Sequence, residues 1–196
     1  MSFAKNKYQV IRQAIPKDLA NFVMNYFLLQ QDAVAYMLKN NIINKHNPLI
    51  GNWEDEQVPN AYAKYADWVM ETLLQYVRPI MKQKTKLDLI PTYSYARIYN
   101  KGNILKRHKD RPSCEISTTL NLGGDPWSIF LEGTEVNLAP GDMLVYSGCE
   151  LEHWRDEFQG DICGQVFLHY NHRNGQFAEQ NKFDKRDMLG LPSGIK

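Results

Sequence analysis

Cysteine is scarce in this chain of 196 residues: Cys114, Cys149 and Cys163 are an odd number, widely spaced and without a CxxC pair. That disfavours a disulfide framework and a cysteine-built zinc site, and leaves the thiols as small, reduced, buried side chains. Excess charge is also lacking, since 23 Lys and Arg stand against 22 Asp and Glu for a net charge of +1. Without a bulk positive field to hold a polyanion, nucleic acid is not favoured as a partner. No run approaches the ~20 apolar residues needed to span a bilayer, and the start MSFAKNKYQVIRQ has no apolar stretch of signal-peptide length. No membrane is implied, and a cytoplasmic location is expected. No repeat of fixed period and no low-complexity run is present, so neither a solenoid nor extended disorder is expected.

What is present is ordinary globular material, 43% hydrophobic and 23% charged, enough for one domain over residues 1–196. Its first part, to about residue 88, reads as helical. Leu19, Phe22, Val23, Tyr26, Phe27, Val34, Met37 and Leu38 recur at helical spacing from Lys17 to about Leu38, with a break expected near Gln31 and Asp32. A second helical segment is expected from Ala61 to Met81, carried by Tyr65, Trp68, Val69, Leu73, Leu74 and Val77. From about residue 89 to 173 the period changes to two. Short alternating runs such as Tyr93–Tyr99, Cys114–Asn121, Asp142–Tyr146 and Gly164–Tyr170 are separated by Gly and Pro punctuation. The fold class is mainly β with flanking helices: short antiparallel strands in a sandwich or barrel, with N-terminal helices packed against it. The polar stretch 174–196 offers little to pack and is expected to be loosely ordered.

The chemistry centres on His108-Lys-Asp110, because residues two apart in an extended segment point to one side and can reach one metal. His153 follows four strand candidates later, far enough along the chain to return beside the first pair. Two imidazoles and one carboxylate with the remaining positions open form the facial triad of non-haem Fe(II) oxygenases.

Arg97-Ile-Tyr-Asn-Lys-Gly102, Leu105, His108-Lys-Asp110 and Ala139-Pro-Gly-Asp142 leading to His153 together resemble the 2-oxoglutarate and Fe(II)-dependent dioxygenases, prolyl-4-hydroxylase-like branch. The resemblance covers about residues 93–173 and implies a double-stranded β-helix, a jelly-roll core with the metal at its mouth. It implies that His108, Asp110 and His153 bind Fe(II), that Tyr99 hydrogen-bonds the co-substrate 2-oxoglutarate, and that O2 is consumed. The implied reaction hydroxylates a substrate C–H bond, of a prolyl residue or a small molecule, as 2-oxoglutarate is decarboxylated to succinate.

The chain departs from that pattern where the family places an Arg or Lys for the co-substrate's distal carboxylate, because the corresponding window holds Ile162, Cys163 and Gly164. A carboxylate taken out of water needs a partner. Arg97 is the first substitute, because it shares the strand face of Tyr99; Arg155, Arg111 and His169 are alternatives, and Gln165 would share the cavity with His169. Tyr93, Tyr95, Trp127 and Trp154 are candidates to line a groove for a peptide or small-molecule substrate. Two other readings stay open at this point: a non-catalytic jelly-roll metal-binding module, and a cupin-like iron enzyme that does not use 2-oxoglutarate.

Overall fold

The computed structural model describes residues 2–193. In chain order the elements are α1 (Phe3–Asn6), β1 (Tyr8–Ile11), α2 (Lys17–Lys39), β2 (Tyr62–Tyr65), α3 (Trp68–Thr85), β3 (Leu89–Asn100), β4 (Leu105–His108), β5 (Ile116–Gly124), β6 (Ile129–Leu131), β7 (Thr134–Val136), β8 (Met143–Ser147), β9 (His153–Arg155), β10 (Ile162–His172) and α4 (Ala178–Asn181). The strands form a larger sheet in the order β1-β8-β5-β10-β3-β2 and a smaller one in the order β4-β9-β6-β7, paired antiparallel throughout. This is the expected jelly roll with helices against one face.

Alternation along the strands sorts the side chains into two environments. Ala96 and Ile98 on β3, Leu120 and Leu122 on β5, Met143 and Val145 on β8, and Val166 and Leu168 on β10 pack with Val23, Phe27, Leu74 and Val77 of the helices. The intervening residues face into the sandwich. There, Tyr99, Leu105, Phe158, Cys163 and Phe167 form one cluster, and Ile129, Leu131, Leu144 and Tyr146 another. Both faces of β10 are therefore covered, the helix side being apolar apart from the Tyr170 hydroxyl, which donates to Leu74 O at 2.6 Å.

The structure changes three local expectations. The helix α2 is unbroken across Gln31 and Asp32. The two polar residues lie where α2 faces partly or fully to solvent, which interrupts the apolar pattern without interrupting the helix. The helix expected from Ala61 starts only at Trp68. Tyr62–Tyr65 instead pairs with β3, from Tyr62 opposite Ile98 to Tyr65 opposite Tyr95, and Ala66 turns the chain at φ 52°. The carboxylate of Asp67 then caps α3, accepting from the backbone N–H of Val69 (2.9 Å) and Met70 (3.3 Å). Residues 174–193 of the polar stretch are docked, and 194–196 lie outside the described residues: Arg186 is buried and donates to Glu71 at 2.6 Å, and Asp184 accepts from Nη1 and Nη2 of Arg111 at 2.9 and 2.8 Å. Its anchors are ion pairs, which an apolar pattern does not display.

Candidate metal centre

His108 ends β4 and His153 opens β9, and the two are directly opposed in the antiparallel pair. Opposed residues share a face, and the rings lie 4.3 Å apart between centroids. Asp110 follows two residues after His108, its backbone N–H donating to Gly148 O at 2.9 Å. One carboxylate oxygen, Oδ1, lies 3.7 Å from His108 Nε2 and 3.5 Å from His153 Nε2. A side chain on residue 148 would collide with Asp110 Oδ2, so glycine is what lets the carboxylate sit there.

The ring orientations are set by the backbone. His108 Nδ1 lies 2.8 Å from Lys106 O and His153 Nδ1 lies 3.0 Å from Leu151 O. A carbonyl only accepts, so each Nδ1 carries a proton and each Nε2 is turned to the carboxylate. Two nitrogens and an oxygen converging on one point, at distances that call for a positive group between them, suit a metal ion. Burial and the neighbouring His153 lower the pKa of His108. Burial acts to raise the pKa of Asp110, but hydrogen bonding and charge from His153, with help from His169 and Ser117, bring it to about 2. With each Nδ1 facing a backbone carbonyl, two imidazole nitrogens and a carboxylate oxygen face one point, and a divalent iron fits this donor set.

Behind Asp110 lies a support that the sequence reading did not anticipate. Ser117 Oγ donates to Asp110 Oδ2 at 2.7 Å and lies 2.9 Å from His169 Nδ1. With the hydroxyl proton given to the carboxylate, His169 is the donor to Ser117. His169 therefore backs the carboxylate through Ser117. Burial lowers its pKa to about 4. The only signal for Ser117 is its inward parity on β5 with Thr119, visible once the strand is placed.

The candidate cations separate clearly. Arg97 has a carboxylate partner: its Nη2 pairs with Asp55, which also takes the Tyr95 hydroxyl, while Nη1 donates to Tyr99 Oη at 3.2 Å. Arg111 is taken by Asp184. Arg155, two residues after His153 and on the same face, is 1% exposed. Its Nη1 donates to Trp127 O at 2.5 Å and its Nη2 to Thr119 Oγ1 at 3.4 Å, and Nε has no partner among the described residues. Burial lowers its pKa, and the groups that act against this belong to Cys163, Tyr99 and Tyr146, none a carboxylate. Tyr146 joins the two regions, with its hydroxyl 3.4 Å from His153 Nε2. Gln165 is buried, accepting from Thr119 Oγ1 at 3.1 Å and donating to Cys163 Sγ at 3.2 Å.

A cavity of about 380 Å³ opens onto the triad, lined by Tyr93, Tyr95, Phe167, Arg97, Lys109 and Gln57 among others. Trp127 and Trp154 are not in its wall, and neither are Tyr99, Arg155 or Gln165, whereas His169 is. Trp154 alternates away from His153 and is stacked on Phe130 under the guanidinium of Arg107, and Trp127 packs on Tyr99 and Phe158.

No protein-family model and no curated protein matches the sequence. Solved structures do match the fold. A Pseudomonas putida prolyl-4-hydroxylase is similar at a TM-score of 0.57 and 17% identity, covering 88% of this chain and 96% of its own. The non-haem α-ketoglutarate-dependent carbocyclase SnoK of nogalamycin biosynthesis gives a TM-score of 0.65 at 10% identity, covering 99% and 91%. HygX from Streptomyces hygroscopicus, solved with nickel, 2-oxoglutarate and hygromycin B bound, gives 0.57 at 11% identity, covering 86% and 84%. The chain has the double-stranded β-helix fold of the 2-oxoglutarate and Fe(II) oxygenases. Among the described residues no helix is long and apolar enough to cross a membrane.

Proposed function

We propose that this protein is a 2-oxoglutarate-dependent non-haem Fe(II) dioxygenase that hydroxylates a C–H bond of a peptide or small-molecule substrate. The observation that carries the reading is the pairing of a two-histidine, one-carboxylate donor set with a buried arginine that has no carboxylate partner among the described residues, inside this fold. His108, Asp110 and His153 would hold the iron. When bound, the iron and its co-substrate supply the activation of O2 that hydroxylation requires, with succinate and CO2 as co-products.

The chain's own residues bind and orient. A buried cation is costly until an anion meets it, so Arg155, with Tyr99 and Thr119 beside it, is the partner for the distal carboxylate. Its planar fork suits that group. The cation absent at Cys163 on β10 is thereby supplied from β9. Arg97 instead fastens Asp55, so we prefer Arg155 to the substitute favoured by strand parity. Tyr93, Tyr95 and Phe167 give the substrate an aromatic wall, suited to a prolyl ring or another small apolar body.

Anaerobic addition of Fe(II) and 2-oxoglutarate is expected to give a metal-to-ligand charge-transfer band that His108→Ala abolishes, with succinate released on turnover. Iron binding without any band would support the cupin-like alternative. Metal binding with neither a band nor any oxygen consumption would support the non-catalytic metal-binding module.

A further inference from the structure

The turn-rich stretch before β2 contributes no metal ligand, yet it reaches the centre. It is anchored at several points. Asn52 and Ala63 exchange backbone hydrogen bonds of 2.9 and 2.8 Å. Val58 is fully buried in the cluster with Tyr99, Leu105 and Phe158. Asn103 Nδ2 donates to Pro59 O at 3.2 Å, and Asn100 Nδ2 donates to Asn60 O at 3.1 Å. Asp55 Oδ1 accepts the backbone N–H of Gln57 at 2.8 Å, while Oδ2 is held by Arg97 and Tyr95. One aspartate therefore shapes the turn and ties it to β3.

This places Gln57 between Arg97 and His108 with its amide orientation forced from both ends. Arg97 has only donors, so the Gln57 atom 3.1 Å from Nη2 is the carbonyl Oε1. The amide nitrogen is then turned to His108 Nε2, 3.1 Å away. That ring nitrogen presents a lone pair, because the other carries the proton given to Lys106 O. A metal ion at the triad needs the same lone pair. A metal on that lone pair displaces the amide nitrogen, so the Gln57 amide must shift about Oε1, which Arg97 still holds, and its N–H donors lose their protein acceptor at the edge of the centre.

We propose that Gln57 is a positioning residue for the co-substrate, donating an amide N–H to a carboxylate oxygen brought alongside His108 while Arg155 holds the distal carboxylate. This rests on the dioxygenase reading above. Two donors, one at the rim and one in the interior, would fix which end of a dicarboxylate reaches the metal. The Arg97–Asp55 pair then acts through Gln57 by holding its amide in place.

The test compares wild type, Gln57→Ala and Gln57→Glu by anaerobic titration of the Fe(II)-loaded protein with 2-oxoglutarate, following the charge-transfer band, and by separate titration with Co(II) alone. Loss of one charge-assisted hydrogen bond is expected to weaken 2-oxoglutarate about tenfold in Gln57→Ala. Gln57→Glu, which replaces the donor by a negative charge, is expected to weaken it further. Both should shift the band, while Co(II) affinity stays within about twofold of wild type and the melting temperature is unchanged. Unaltered 2-oxoglutarate affinity and band position in both variants would overturn the proposal. So would a parallel loss of Co(II) binding and melting temperature, which would mark the segment as scaffold only. A wild-type protein that binds Fe(II) and gives no band fails the dioxygenase reading itself, and this inference with it.

Discussion

His108 and His153 are opposed partners on neighbouring antiparallel strands, and the pairing that follows a register shift after Leu105 delivers both imidazoles to one side of Asp110. The centre is therefore as rigid as the sheet edge that carries it. Its weak points lie in the contacts that aim the carboxylate and the interior cation.

Arg155→Met should separate stability from binding. Replacing a buried cation that has no carboxylate partner by an apolar side chain of similar length is expected to raise the melting temperature. The same change should weaken 2-oxoglutarate by about a hundredfold or more while sparing the metal. Calorimetry of the metal-loaded protein with and without 2-oxoglutarate checks both signs. A lower melting temperature together with unchanged binding would reassign Arg155 to packing.

Ser117→Ala leaves Asp110 Oδ2 without its side-chain donor and cuts the link to His169. Outer-shell losses of this kind typically reduce metal affinity by about 10- to 100-fold, and that range is expected in a Co(II) or Mn(II) titration. Gly148→Ala should be more severe, because its Cβ would meet both Asp110 Oδ2 and Cys114 O.

His169 gives a pH signature. Its folded-state pKa, about 4, lies below the ordinary 6.5, so the unfolded chain binds the proton more readily. Stability is therefore full above pH 6.5 and falls as pH drops toward 4, by at most about 3 kcal/mol. His169→Gln should flatten that part of the profile in denaturant titrations of the metal-free protein. An unchanged slope would mean that another group carries it.

Arg186→Ala strands Glu71 in the interior without its cation. Breaking a buried pair from one side costs about 3–5 kcal/mol, which chemical denaturation should detect. The double change Arg186→Met with Glu71→Leu should recover much of the loss.

The strands, the triad and the departure at Cys163 were legible because each leaves a local mark: period two, a His-x-Asp spacing, and a missing cation. Arg155 was legible only as one of several arginines. Preferring it for the proposed co-substrate role rests on the ion pairs that Arg97 makes with Asp55 and Arg111 with Asp184, across loops far away in sequence. Gln57 was not legible at all and Ser117 only as an inward-facing strand position, since each acts through partners that only the folded chain supplies. The start of α3 was misplaced for a related reason: Tyr62 and Tyr65 fit a helical stripe as well as an edge strand, and pairing with β3 decided between them.

β10 serves two unrelated clients. Its even-numbered residues, Val166 and Leu168, lock the barrel to the helices, while Cys163, Gln165, Phe167 and His169 face into the sandwich, with Phe167 and His169 in the wall of the cavity. The wall of the cavity can thus be changed at the odd positions while the helix contacts stay untouched. A one-residue insertion in the strand would exchange the two sets and forfeit both.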